Sequence, residues 1–210
     1  MISPALFVPI AEATGLMHEI GEFVLTTACQ QLRRWIDSGM KPIRMAVNLS
    51  LCQFLRGDIV ATVERVLREN DLSPELLELE LSERGVLNQR TEIIDSVHKL
   101  KSLGVRISVD DFGTGQSAIS YLKDLPIDVV KIDRSYISGE SSDGRGEAIA
   151  SGMVLLAHGL DAKVIAEGVE TREQLQMVRE WGSEECQGFY HCAAISGDEF
   201  QTRFAKSPSF

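Results

Sequence analysis

Between residues 43 and 205 one pattern recurs six times: a short apolar, β-branched run, then a longer amphipathic stretch. The runs cover 43–49, 76–81, 105–109, 127–132, 163–166 and 185–189. Apolar residues at helical spacing predict helices over 52–70, 91–103, 116–124, 145–160, 171–182 and 197–205. Strands alternating with helices build an α/β fold, a parallel sheet covered by its crossover helices. One more helix precedes the pattern, because Ile20, Phe23, Val24, Leu25, Ala28, Leu32 and Trp35 recur at helical spacing and Gly39 closes it. The stretch 138–144, rich in Ser and Gly, reads as a loop ahead of a helix.

The predicted strands end alike. Asn48, Glu80, Asp110 with Asp111, Lys131, Glu167 and Gln187 stand at the C-terminal ends of six different runs. A doubly wound sheet would focus its polar groups at one switch point. Six successive strands that each end in a chemically useful side chain suit a barrel better, since all their ends meet on one face. A full eight-stranded barrel typically takes ~250 residues. The expectation for the 210 residues here is therefore a single domain, 1–210, built as an incomplete TIM-like barrel of six βα units, with the first two strands upstream of Met1.

Charge narrows the function classes. Thirty-one acidic residues against 21 basic ones give a net charge of −10, which repels a phosphate polymer, so no DNA or RNA partner is expected. An anionic substrate stays compatible if a bound cation reverses the local sign. No apolar run approaches the ~18 residues of a membrane span, and Met1-Ile2-Ser3-Pro4 does not open a signal peptide. Cysteines 29, 52, 186 and 192 show no metal-ligand spacing with His18, His98, His158 or His191. They read as reduced thiols, mostly in the core, of a cytoplasmic protein.

Taken singly, these polar residues say little, because strand-end charges are often solvated and either Asn48 or Ser50 could cap the next helix. Lys131 within Val129-Val130-Lys131-Ile132, and Glu80 within Leu79-Glu80-Leu81, sit among apolar neighbours and need partners. The carboxylates of Asp110 and Asp111 repel each other unless a cation or proton intervenes. Oxygen ligands without Cys or His clusters favour Mg²⁺ or Mn²⁺ over zinc. Asp111-Phe112-Gly113-Thr114-Gly115 has two glycines that permit close backbone approach, but it lacks the lysine of a phosphate loop. A tight turn closed by Thr114 is the competing reading of that segment.

Ala46-Val47-Asn48-Leu49-Ser50, Glu80-Leu81-Ser82-Glu83, Asp110-Asp111-Phe112-Gly113-Thr114-Gly115, Lys131-Ile132-Asp133, Ala166-Glu167-Gly168-Val169-Glu170 and Gln187-Gly188-Phe189 resemble, in order, the motifs of the EAL domain family. The opening, from Ile2 to Glu12, resembles the segment just after that family's naming motif. The resemblance implies a bacterial, cytoplasmic enzyme of second-messenger signalling, which hydrolyses cyclic di-GMP to pGpG on a modified TIM barrel with two Mg²⁺ or Mn²⁺ ions.

Carried over by motif, the resemblance makes Asn48, Glu80 and Asp110 ligands of the first metal. Asp110 would bridge to a second, which Asp111 and Glu167 complete. Lys131 matches the lysine that holds the attacking water and helps deprotonate it, and Gln187 a residue beside the metal-bound water. Glu83 matches a brace of the Asp111–Gly115 loop that includes Thr114, and Glu170 a contact or support of the ligand. The departures are equally specific. The Glu-Ala-Leu tripeptide, with one first-metal ligand, and the Arg-Trp pair after it are not within these residues. Tyr190-His191-Cys192-Ala193-Ala194 replaces an aromatic residue and a basic-Pro pair, and Gln116 stands where an aromatic is common. The resemblance also implies homodimers through the helix near 116–123, while the two edges an incomplete barrel would expose, 43–49 and 185–189, predict self-association or marginal stability. Two alternatives stand beside it: a degenerate EAL domain acting as a cyclic di-GMP receptor or protein-interaction module, and an unrelated barrel enzyme using Lys131 and Glu167 as an acid–base pair.

Overall fold

The computed structural model describes residues 3–83, 91–114, 125–138 and 145–204. They fall into two compact units, the first comprising Met1–Leu81, Asn88–Arg106 and Gly197–Phe210, the second Ser82–Leu87 and Ile107–Ser196. The predicted helix over 116–124, the proposed dimer helix within it and most of the 138–144 loop lie outside the described residues.

The first unit opens with helices α1 (Pro4–Thr14) and α2 (Met17–Asp37). Pro4 suits the first turn of α1, where its missing N–H costs no helical bond. Helix α2 buries Leu25, Leu32 and Trp35 of the stripe read from the sequence, together with Cys29, whereas Phe23 and Val24 of that stripe are exposed. Strand β1 (Met45–Leu49) follows, then α3 (Leu51–Arg56) and α4 (Ile59–Glu69). The single helix expected over 52–70 is thus broken in two. Asp58 causes the break: its carboxylate accepts from the Ala61 N–H at 3.0 Å and starts a new helix after an extended Gly57. Strand β2 (Leu77–Ser82), α5 (Thr91–Leu103) and α8 (Gly197–Phe204) complete this unit, where Trp35 Nε1 donates to Gly197 O at 3.2 Å.

Strands β1 and β2 are parallel, with Met45 opposite Leu77 and Asn48 opposite Glu80. Val47, Leu49, Leu79 and Leu81 fill the buried face of this pair. Ala46, Glu78, Asn48 and Glu80 take the other face, where Arg44 Nη1 stands 3.6 Å from Glu78.

The second unit contains β3 (Arg106–Phe112), β4 (Val129–Ile132), α6 (Arg145–Gly159), β5 (Lys163–Glu167), α7 (Arg172–Trp181) and β6 (Glu185–Gln187). These strands pair in parallel, each with the next in sequence. Val130, Ile132, Val164 and Ala166 are fully buried, as are Ala150 and Val154 of α6. Strand β6 stops at Gln187, two residues short of its expected end, because Tyr190 N–H turns back to Val169 O at 3.0 Å.

Candidate active site

Strand register gathers the chemistry of the second unit. Side chains of parallel partners project from one face, so the pairs Lys131–Ile165 and Glu167–Gln187 put Lys131, Glu167 and Gln187 on the same side. Ser108, paired with Val129, brings Asp110 to that side two residues later. A regular strand would send Asp111 to the opposite face. The β3–β4 register instead shifts between Val109 and Phe112, and Asp111 adopts φ 56°. Such an irregularity re-aims a side chain. Carboxylate oxygens of Asp110, Asp111 and Glu167 consequently lie within 4.8 Å of one another.

Lys131 sits at the centre of the charge. It is 3% exposed, with Nζ 2.7 Å from Glu167 Oε1 and 3.3 Å from Asp110 Oδ1. One ammonium beside three carboxylates leaves two negative charges in excess. Further positive charge would relieve that repulsion, and a donor set made only of oxygens fits a hard divalent cation.

The loop after β3 is fixed from several sides. Gly113, at φ 96°, donates its N–H to Glu83 Oε2 at 2.9 Å, and its carbonyl accepts from the Tyr136 hydroxyl at 2.6 Å. A Cβ on Gly113 would stand 2.4 Å from Met153 Cε and 2.8 Å from Tyr136 Cε2, so a larger residue would displace those side chains and would be strained at this φ. Glu83 is itself 2% exposed. Thr114 Oγ1 donates to Asp111 O at 2.9 Å and closes the turn.

A cavity of about 540 Å³ adjoins the cluster, and Asp111, Glu167, Glu170 and Gln187 line it. The exposed Glu170 is held there by its backbone, which donates to Gln174 Oε1 at 2.7 Å, the same oxygen that takes the Thr171 N–H at the start of α7. In the first unit Asn48 is exposed and its partner Glu80 is buried. Ser50, not Asn48, occupies the cap position of α3, and its N–H donates to Gln53 Oε1 at 3.0 Å.

Sequence reasoning passed over Arg134 and Tyr136, which follow directly on the strand-end Lys131-Ile132-Asp133 motif. It quoted Phe189 only as part of a motif, yet Phe189 lines the cavity with Arg134. It also overstated how many cysteines are core. Cys29 alone is buried, its thiol pushed up to about 11 by burial, whereas Cys52, Cys186 and Cys192 are partly exposed. Cys186 Sγ lies 3.1 Å from His191 Nε2; burial raises its pKa and Arg179 partly offsets this.

The family model described as "EAL domain" matches residues 1–194, and the chain belongs to the EAL domain family. The "Bifunctional diguanylate cyclase/cyclic di-GMP phosphodiesterase MucR" of Pseudomonas aeruginosa is 41% identical over 189 residues, which are 90% of this chain and 28% of that protein. The "Cyclic di-GMP phosphodiesterase NbdA" of the same organism is 37% identical over 90% of this chain and 24% of its own length. The chain therefore spans about a quarter of these relatives. The solved structure described as "PaMucR Phosphodiesterase, c-di-GMP complex" superposes with a TM-score of 0.90 at 39% identity, covering 95% of this chain and 81% of that one. The six parallel strands and their helices thus have the TIM-barrel-like α/β fold of EAL domains.

Proposed function

We propose that this chain hydrolyses cyclic di-GMP to linear pGpG, with Mg²⁺ or Mn²⁺ held by the strand-end carboxylates. The observation that carries this reading is the buried Lys131 ammonium, ion-paired with Glu167 and Asp110 beside Asp111. A membership shared with named phosphodiesterases, and a similar structure described as a cyclic di-GMP complex, support it. Asp110, Asp111 and Glu167 would hold metal, and the ligand roles implied for Asn48 and Glu80, register partners in the first unit, belong to the same proposal. Bound divalent ions would bring water's deprotonation towards neutral pH and offset charge on the phosphodiester oxygens.

The chain's own groups supply position and proton handling. Lys131 Nζ, locked by its two carboxylates, holds the attacking water and favours its deprotonated form. Gln187, on the same face, orients that water. Glu83 and Thr114 keep the loop that sets Asp111, and Glu170 supports the ligand from across the cavity. Among the described residues no helix is long and apolar enough to cross a membrane. The proposed setting is the bacterial cytoplasm, and the proposed assembly a homodimer.

Chromatography of the products of cyclic di-GMP incubated with the chain and Mn²⁺ tests the reading. Accumulation of pGpG that stops with EDTA or with Glu167→Gln is expected. Saturable binding without turnover would overturn hydrolysis in favour of a receptor.

A further inference from the structure

Strand β6 and the turn after it carry side chains that phosphodiester hydrolysis does not use. Cys186, the middle residue of β6, has its Sγ 3.1 Å from His191 Nε2. Cys186 is partly exposed and His191 exposed, so a reagent in solution can reach the pair. Arg179, on α7, acts on the same thiol, and its positive charge favours the ionised form.

The imidazole is held in place. His191 N–H donates to Gly188 O at 3.1 Å, and Tyr190 N–H to Val169 O at 3.0 Å, which ties the turn to the residues after β5. A Cβ on Gly188 would stand 2.1 Å from Val169 O, so the turn closes only over a glycine. The ring of Tyr190 meets that of His191 edge-on, with centroids 5.4 Å apart.

A thiol with a fixed base in hydrogen-bond reach has the parts of an activated nucleophile. Burial opposes ionisation of Cys186 and raises its pKa. Reaction therefore needs His191 to take the proton as the sulfur attacks. A thiol of high pKa is the stronger nucleophile once ionised and the poorer leaving group afterwards, so an adduct on it persists. Arg179 selects among electrophiles. Its guanidinium attracts carboxylates, which favours a small disulfide that bears them over a neutral disulfide or a peroxide.

We propose that Cys186 is a modification site, at which His191 serves as the base and Arg179 draws in an anionic low-molecular-weight disulfide. The Cys186 S–H proton passes to His191 Nε2 while Sγ attacks one sulfur of that disulfide. A new S–S bond forms to Cys186 as the old one breaks, and the departing thiolate takes the proton back from the imidazolium. Cys186 is oxidised to a mixed disulfide, and half of the small disulfide is reduced to a free thiol. This inference does not depend on the cyclic di-GMP reading.

Incubation of the full chain with glutathione disulfide, followed over time by peptide mass spectrometry, tests it. Cys186 is expected to gain the glutathionyl group at least about 10-fold faster than Cys52 or Cys192, which are also partly exposed. Dithiothreitol is expected to remove it. His191→Gln, with unchanged circular dichroism, is expected to slow modification of Cys186 by about 10-fold or more and to leave the Cys52 rate as it was. Arg179→Gln is expected to slow it about 3-fold with glutathione disulfide and not at all with uncharged hydroxyethyl disulfide. Equal rates at the three partly exposed cysteines would overturn the site, as would an unaltered Cys186 rate in His191→Gln. Equal slowing of both disulfides by Arg179→Gln would overturn the selection of an anionic reagent.

Discussion

Asp111 shows how a local irregularity makes a site. Two consecutive aspartates on a regular strand cannot serve one metal, because their side chains diverge. The register shift and the φ of 56° bring Asp111 to Asp110, and its N–H donates to Asp110 Oδ1 at 3.0 Å. The conformation is costly for a residue with a Cβ, by roughly 1–2 kcal/mol, and short polar side chains such as Asp and Asn tolerate it best. Asp111→Asn should therefore keep the backbone while removing one of three crowded charges. Turnover is expected to fall by about 100-fold or more, and the metal-free variant to melt above the metal-free wild type. Unchanged turnover would separate Asp111 from the chemistry. The doublet itself was legible in the sequence as a charge problem in need of a cation. The shift that turns both carboxylates to one side was not, since a period-two strand pattern carries no sign of an extra residue.

Among the elements, those buried on one face were the easiest to read. Leu25, Leu32 and Trp35 of α2 and the β-branched runs of β4 and β5 came through because burial selects residue type position by position, while Phe23 and Val24, apolar but exposed, were misplaced in the stripe. The break between α3 and α4 was missed because the apolar spacing continues across it, and a single carboxylate cap decides the matter. Helix α1 was missed for a different reason: Leu6 and Ile10 are exposed, and it has no buried stripe to detect. One capping group also governs β5. Glu184 Oε2 accepts from the Val164 N–H at 2.8 Å, and its other oxygen lies 3.1 Å from His158 Nε2. Burial alone would raise this carboxyl, but the hydrogen bonds from Val164 and its own backbone, with His158, hold it below the ordinary value of about 4.5. A folded value below the unfolded one stabilises the chain above the unfolded value, and that contribution disappears as pH falls through the folded value. Glu184→Gln should thus lower the melting temperature near neutral pH and lose less between about pH 6 and pH 3.5 than the wild type does. Parallel melting curves for the two proteins across that range would contradict the clamp.

At the scale of the whole molecule, an excess of acid is compatible with the proposed anionic substrate if the acid holds a cation. The net charge of −10 disfavours a phosphodiester in bulk solution, while the Asp110, Asp111 and Glu167 cluster is suited to a divalent cation that inverts the field where the substrate would sit. Fold class was readable because six strand ends carry the chemistry, and membership of the EAL family agrees with it. Two residues that line the cavity were less readable. Arg134 opens a one-turn 3-10 helix after β4 and Phe189 lies in the turn after β6, where backbone hydrogen bonds rather than any periodic pattern set the chain's course. The placement of metal at the strand-end carboxylates is the claim on which the rest depends. Anomalous diffraction from crystals of the chain grown with Mn²⁺ locates that metal directly. A peak bounded by the carboxylates of Asp110, Asp111 and Glu167, absent from Asp110→Asn crystals, is the predicted result. Fully occupied Mn²⁺ elsewhere with no peak among those three carboxylates would contradict it.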